Sequence, residues 1–247
     1  MTTRGSEPYA GNAPFWKRII RDRLDRYRTE LTDAAVLSTL GPVKDRTILD
    51  GGCGEGYLSR ELAHRGAAVT GLDASSSLIT AARGERDRLN LRVNHYVASL
   101  DSIPEDDGTF DTVVCNHAIN DIGDPPAALK EIGRVTKPGG RLILLMLHPC
   151  FYTAHAERSA TGSIPVAAYF GTRTVEERLS VAGLTSPEKF RMTFHSLEWY
   201  ISATVESGYV ITGLFEPHPS PAQMEDVWWQ QNFVKPLFML IVAERVR

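Results

Sequence analysis

Short apolar runs alternate with amphipathic helical patterns through the middle of the chain. Runs of strand type end near residues 49, 72, 97, 115 and 147, and helical patterns begin near residues 57, 75 and 125. Strands that alternate with helices in this way are typical of a parallel sheet with helices on both faces. Further apolar runs at about 209–215 and 237–245 add two strands. The pattern therefore predicts an α/β fold, doubly wound around a mostly parallel sheet.

Two segments depart from this alternation. Residues 1–12 are predicted to be an irregular arm, and Pro14 is well placed to open a helix whose apolar residues recur at helical spacing up to Leu31. Thr32 and Asp33 could cap a second helix. Residues 148–194 form a longer connection than two neighbouring elements need. We expect an N-terminal helical arm or lid at 1–44, a core at 45–247, and a substrate-side insertion at 148–194.

Candidate chemistry is concentrated in the glycine-rich turn after the first strand. Asp50 ends an apolar run, glycines follow at 51, 52, 54 and 56, and a helical pattern opens at Tyr57. Such a turn gathers bare backbone N–H groups and a helix N-terminus at one point. The spacing differs from the dinucleotide fingerprint and from the phosphate loop. An acid at the mouth of the turn suits a cationic ligand better than a pyrophosphate.

The alternating glycines resemble the first motif of the class I S-adenosylmethionine-dependent methyltransferases. Residues 45–150 also carry the further motifs in that family's order: Asp73 after the second strand, a Leu-Asp-Ser-Ile-Pro stretch at 100–104, and Lys137-Pro-Gly-Gly before the fifth strand. The resemblance implies a seven-stranded sheet with an antiparallel last strand. It also implies S-adenosylmethionine as cofactor and S-adenosylhomocysteine as product. The cofactor-binding residues it implies are Asp50, Gly51, Gly52, Gly54, Asp73, Ala74, Ser99, Leu100 and Asn116; Ser99 stands where the family usually has an aspartate.

Candidate catalytic residues follow from position along the sheet. His117 and His148 come directly after the fourth and fifth strands, at the carboxyl edge where ligands bind in such sheets. Either could act as a general base, although an amine that binds in its neutral form needs no enzyme base. His195 could cap the helix before the sixth strand. The predicted substrate-binding residues are Tyr9, Phe15, Trp16, His117, His148, Tyr169 and Phe170.

Composition and charge limit the kinds of partner and compartment that this chain fits. The net charge of −3 disfavours a nucleic-acid binder, and acids interleave the arginine-rich stretch 17–28, which we interpret as a solvated helix face. No run approaches the length of a membrane span, and the N-terminus lacks an apolar signal region. Three cysteines fit a reducing, cytoplasmic setting, and no histidine pair has metal-ligand spacing. The N-terminal helix and the Trp228–Trp229 loop could support a homo-oligomer, but core packing explains them equally well.

These features together favour a methyltransferase that acts on a nitrogen or oxygen of a small, partly apolar molecule. The His148-Pro-Cys-Phe turn and the Phe215-Glu-Pro segment resemble those of bacterial tailoring enzymes of secondary metabolism, including antibiotic biosynthesis, and this resemblance implies a natural product as the acceptor. The alternatives are a cofactor-binding sensor or scaffold without transferase activity, an NAD-dependent oxidoreductase, and a nucleic-acid methyltransferase. The chain lacks the Gly-x-Gly-x-x-Gly fingerprint that an NAD-dependent oxidoreductase would carry. The Asp124-Pro-Pro segment is similar to a motif of amino-group methyltransferases that act on nucleic acids, but a helix cap followed by a first-turn proline explains it better.

Overall fold

A seven-stranded sheet forms the centre of the computed structural model, which describes residues 7–152 and 169–246, with side chains from residue 11 onward. The strand order is β10-β11-β5-β4-β1-β2-β3. Their bounds are β1 Thr47–Gly51, β2 Ala68–Asp73, β3 Val93–Val97, β4 Phe110–Asn116, β5 Thr136–Leu147, β10 Tyr209–Phe215 and β11 Phe238–Arg245. Strand β11 runs antiparallel to both β5 and β10, whereas the other neighbouring pairs are parallel. The predicted α/β sheet with an antiparallel last strand is confirmed.

Helices cover both faces of the sheet, and all but the one that follows Gly56 begin at a capping side chain. They are α3 Tyr57–His64, α4 Ser76–Arg88, α5 Pro125–Val135, α6 Leu197–Glu206 and α7 Val227–Asn232. Ser75 and Asp124 accept bonds from backbone N–H groups of α4 and α5, and the cap at Asp124 is the one that the sequence predicts. Helix α6 is capped by Ser196, which accepts from the Trp199 N–H. The prediction that His195 caps this helix is therefore wrong by one residue.

The N-terminal helices differ from the prediction in their bounds. Helix α1 spans Glu7–Arg21 with Pro14 inside it, so Pro14 does not open the helix. Packing outweighs the backbone bond lost at the proline, because Phe15 and Ile19 on α1 are buried in a cluster with Phe190. A π-helical turn at Arg28–Thr32 leads directly into α2, Asp33–Leu40, and the Thr32 side chain makes no cap bond.

The insertion after β5 contains a small sheet that the sequence pattern does not predict. Strand β6, Arg173–Glu177, pairs antiparallel with β9, Phe190–Phe194, and the short strands β7, Ser180–Val181, and β8, Leu184–Thr185, form a second pair. The rings of Phe15 and Trp16 on α1 pack against Phe190 of β9, with centroid separations of 6.5 and 5.4 Å. The N-terminal arm and the insertion therefore form one cover over the same side of the core.

Within the described ranges, no helix is long and apolar enough to cross a bilayer.

Candidate active site

A cavity of about 1150 Å³ lies at the carboxyl edge of the parallel strands, under the cover made by α1 and the insertion. Each of the strands β1, β2, β3 and β4 ends at this edge, so the residues that follow them converge there. Seven of the nine predicted cofactor-binding residues line the cavity: Gly52, Gly54, Asp73, Ala74, Ser99, Leu100 and Asn116. The cavity extends beyond them to α1 and to strand β9, so it has room for a second ligand.

The glycine-rich loop has the backbone conformation that its sequence predicts. Gly52 and Gly54 have φ angles of 75° and 56°, in the left-handed region that glycine tolerates best. A side chain at Gly52 would clash with the Cβ of Ala118, whereas one at Gly54 would meet no protein atom within 4 Å. Gly54 therefore faces open space, and a ligand can approach its backbone directly.

Asp73 connects the second strand to this loop. One carboxylate oxygen accepts from the Gly54 N–H at 2.9 Å and the other accepts from the Ser75 N–H at 2.8 Å. Burial raises the pKa of this carboxyl, and the two backbone bonds oppose the shift. A carboxylate has about four acceptor positions, so both oxygens can still accept bonds from a diol in the cavity.

The structure places Asp50 and Gly51 beneath the loop, outside the described cavity lining. The Asp50 side chain accepts from the Ser59 hydroxyl at 2.6 Å, and the residue is only 1% exposed. Burial raises the pKa of Asp50 to about 6, and the Ser59 bond opposes this shift. Leu100 covers Gly51, where a Cβ would come within 2.9 Å of its side chain. Both predicted ligands therefore support the loop from below and do not face the cavity.

Three cavity residues, Arg28, Tyr57 and Asn116, form a polar group. The Arg28 guanidinium carbon lies 4.0 Å from the centroid of the Tyr57 ring. The Tyr57 hydroxyl accepts from Asn116 Nδ2 at 2.5 Å and donates to Asp33 at 2.8 Å. Asn116 is a predicted ligand, but Arg28 and Tyr57 are not. No sequence signal singles out Arg28, because its burial depends on the π-helical turn at 28–32.

Unpaired polar atoms surround this group. Arg28 is 8% exposed, yet its Nε and Nη1 have no hydrogen-bond partner among the described residues, and its ion pair with Asp33 is long at 3.8 Å. The Oδ1 atom of Asn116 is buried and likewise has no partner in the described part of the chain. Buried donors and acceptors are normally paired. Arg28 and Asn116 both line the cavity, so these atoms are candidate partners for a ligand that has both an anionic and a donor group.

The two candidate histidines lie in different environments. His117 lines the cavity, and its Nε2 lies 3.2 Å from the Thr32 hydroxyl. Burial lowers the pKa of His117 to about 4, and the Arg28 charge adds to the shift. His148 is buried outside the described lining, where Nε2 contacts Glu216 at 2.9 Å and Nδ1 accepts from the Cys150 N–H. Burial lowers its pKa against the opposing effect of Glu216. Both ring nitrogens of His148 are thus occupied in holding the turn after β5.

Of the other predicted acceptor contacts, Trp16 lines the cavity. Phe15 packs behind Trp16 in the aromatic cluster, and the Tyr169 hydroxyl accepts from the Leu197 N–H at 3.1 Å. Phe170 is 90% exposed, and none of these three belongs to the described lining. Tyr9 is in α1, and its side chain lies outside the described residues. The wall beside Trp16 instead includes Ile20, Leu24, Tyr152, Leu179, Phe190 and Met192. Helical spacing marks Ile20 and Leu24 as apolar-face residues, but it does not predict that they line the cavity.

Comparison with known proteins agrees with this geometry. Residues 49–144 match the model of a methyltransferase domain. A ubiquinone biosynthesis O-methyltransferase from Coxiella burnetii is 34% identical over 109 residues, which cover 44% of this chain and 47% of that protein. An enzyme of the same name from Xanthomonas oryzae is 36% identical over 102 residues, covering 41% of this chain and 43% of the relative. The chain spans about half the length of the curated relatives it matches.

Solved structures share the fold over most of the chain. An S-adenosylmethionine-dependent methyltransferase from Listeria monocytogenes has a TM-score of 0.71 at 23% identity, covering 86% of this chain and 96% of that one. Another from Mesorhizobium loti has a TM-score of 0.66 at 20% identity and covers 85% and 96%. Residues 49–144 therefore match a methyltransferase domain, and the chain shares the Rossmann-like fold of structures described as S-adenosylmethionine-dependent methyltransferases. The cofactor that this domain implies is S-adenosylmethionine.

Proposed function

We propose that this chain transfers the methyl group of S-adenosylmethionine to an oxygen or nitrogen of a small-molecule acceptor. The observation that carries the proposal is the set of unpaired polar atoms beside Tyr57. The Nε and Nη1 donors of Arg28 suit the carboxylate of the cofactor's amino-acid end, and the Oδ1 of Asn116 suits its ammonium group. A dinucleotide carries no such pair of groups at the corresponding place.

The remaining cofactor parts fit the residues that follow β2 and β3. The Asp73 carboxylate keeps acceptor positions for the ribose hydroxyls while it holds the loop at Gly54. Ser99 and Leu100 line the part of the cavity next to Asp73, where an adenine ring would lie. The open face of Gly54 lets the cofactor approach the main chain. On this proposal, Asp50 and Gly51 act beneath the loop as supports.

When bound, the cofactor supplies a methyl group already activated by a sulfonium. The residues of this chain therefore need to align the acceptor and exclude water. The apolar wall from α1 and the insertion, with Trp16, Phe190 and Met192, suits exclusion of water and a largely apolar acceptor. His117 is the candidate polar contact to that acceptor. His148 is a positioning residue of the turn that leads to Tyr152, which also lines the cavity.

Oxygen is the favoured acceptor atom, because the curated relatives are named O-methyltransferases. A role in natural-product tailoring, a cytoplasmic location and a homo-oligomeric state remain predictions. The sensor alternative accounts for the cofactor end of the cavity but not for the extra volume under the insertion. An acceptor site is what gives that volume a use.

Transfer of labelled methyl from S-adenosylmethionine to a panel of phenols, hydroxyquinones and amines tests the proposal. We expect label on at least one oxygen acceptor, loss of transfer in Arg28→Met, and no change in Arg18→Met, whose side chain is 63% exposed. Cofactor binding without transfer to any member would support the sensor alternative. Failure of S-adenosylhomocysteine to bind would overturn both readings.

A further inference from the structure

The contact between Thr32 and His117 determines what the histidine can offer to the cavity. His117 Nε2 lies 3.2 Å from the Thr32 hydroxyl, and Thr32 is fully buried. An imidazole with one nitrogen paired to a hydroxyl has two neutral forms, depending on which partner donates. The form with the proton on Nε2 leaves a basic Nδ1 lone pair, whereas the other form leaves an N–H donor at Nδ1.

The surroundings of Thr32 favour the hydroxyl as donor. Helical threonines often donate to the carbonyl four residues earlier, as Thr29 does to the Asp25 oxygen at 2.9 Å. The corresponding carbonyl for Thr32 is that of Arg28, which accepts from the Asp33 N–H in the π-helical turn, and the Thr32 hydroxyl makes no hydrogen bond to it in the described structure. Within residues 7–152 and 169–246, His117 is the recorded hydrogen-bond partner of the Thr32 hydroxyl. A buried donor is costly to leave unpaired, so the hydroxyl proton points to Nε2.

The other ring nitrogen is left for a ligand. His117 lines the cavity, and Nδ1 has no hydrogen-bond partner among the described residues. The ring is fixed by an edge contact with Phe238, at a centroid separation of 5.4 Å. The backbone of His117 has a φ of 58°, a left-handed conformation that is unfavourable for a non-glycine residue. Strain of this kind is tolerated where the surrounding structure fixes a residue in place.

We propose that Thr32 is a positioning residue that holds neutral His117 with its proton on Nδ1, so that the ring presents a hydrogen-bond donor to the acceptor instead of a general base. The inference rests on the proposed function for its meaning. It defines the acceptor group beside His117 as one that accepts a hydrogen bond, such as a phenolate or carbonyl oxygen. An alkylammonium group, which has only donors, does not fit there.

The tautomer can be measured directly by long-range ¹H–¹⁵N correlation spectra of the full-length, ¹⁵N-labelled protein saturated with S-adenosylhomocysteine. The chain has seven histidines, and the spectrum of His117→Asn identifies the signals of His117. We expect the pattern of a protonated Nδ1 and an unprotonated Nε2. Thr32→Val, which keeps the shape but removes the hydroxyl, should give a mixture of both forms. Thr32→Ser should restore the wild-type pattern.

A wild-type spectrum with the proton on Nε2 would overturn the proposal, and so would a Thr32→Val spectrum identical to that of the wild type. If Thr32→Val does not fold, the wild-type and Thr32→Ser spectra still decide between the two tautomers. Calorimetric binding of S-adenosylhomocysteine in the same samples keeps the outcomes separate. Binding with the wrong tautomer contradicts this inference alone, whereas loss of binding by the wild type contradicts the proposed function.

Discussion

Arg28 provides the sharpest test of how the cavity holds its cofactor. Its Nε and Nη1 are buried without a hydrogen-bond partner among the described residues, and Nη1 has only the long 3.8 Å ion pair with Asp33, so a bound carboxylate would receive two charge-assisted hydrogen bonds. Bonds to charged groups contribute roughly 1.5–3 kcal/mol each, and part of this returns when water fills the site of a shortened side chain. We therefore expect Arg28→Met to weaken S-adenosylhomocysteine by about 3 kcal/mol, or roughly 100-fold in Kd. Arg28→Lys keeps the charge without the planar fork and should lose about tenfold.

Methylthioadenosine, which lacks the amino-acid end, is the matched control on the ligand side. Isothermal titration of both ligands against wild type, Arg28→Met and Arg18→Met isolates the carboxylate contact. The affinity for methylthioadenosine should change less than about twofold in Arg28→Met, because this nucleoside does not reach the guanidinium. Equal losses for both ligands would mean that Arg28 supports the fold of the cavity. Unchanged affinity for S-adenosylhomocysteine would refute the assignment of its carboxylate to Arg28.

Three further predictions concern the loop, the cover and the core. Gly54→Ala places a side chain in the cavity at a φ of 56° and should weaken the binding of S-adenosylhomocysteine, measured by titration, more than tenfold. The control is Gly84→Ala in α4, where a Cβ meets no atom within 4 Å. It should leave the binding affinity unchanged and raise the free energy of unfolding by up to about 1 kcal/mol. Arg21 on α1 forms ion pairs with Glu55 and Glu85 at 3.2 and 3.3 Å, which hold α1 over the cavity. Arg21→Met should therefore speed ligand release several-fold at low salt in stopped-flow experiments. The same acceleration at high salt would contradict an ionic origin of the effect. Burial alone would raise the pKa of Asp111, but bonds from Lys137 and Thr47 outweigh burial and lower this pKa to about 2. The ionised Asp111 therefore stabilises the folded state above about pH 4, and this contribution is lost as the pH falls toward about 2. Denaturant titrations of Asp111→Asn should show a weaker pH dependence over that window, and an unchanged profile would refute the role of the pair.

The parts of the site that depend on short stretches of sequence could be predicted. The glycine-rich loop, Asp73 and the residues after β3 and β4 each follow directly from a strand end. Because the carboxyl ends of parallel strands lie at one edge, their convergence follows from the strand order. Phe15 and Trp16 illustrate the limit of this reasoning. Both lie on the predicted arm, but which of them faces the cavity depends on how α1 packs against β9.

Other residues could not be predicted because their positions result from long-range packing. Acids interleave the arginine-rich stretch 17–28, and this pattern predicts a solvated helix face. Arg28 is nevertheless turned inward by the π-helical turn, which sequence periodicity does not reveal. Asp50 has the expected position in the sequence, yet its side chain bonds to Ser59 beneath the loop. His148 likewise follows β5 as expected, but Glu216, from a distant connection, occupies its Nε2.

A crystal structure of the full chain with S-adenosylhomocysteine is the most direct test of the central claim, that the cavity is shaped for a sulfur nucleoside with an amino-acid end. The account predicts a carboxylate within hydrogen-bond distance of Arg28 Nε and Nη1, an amino group at Asn116 Oδ1, and both ribose hydroxyls at Asp73. The sulfur atom would then face the volume between Trp16 and His117. A nucleoside bound with its ribose away from Asp73, or an amino-acid end that does not contact Arg28, would contradict it.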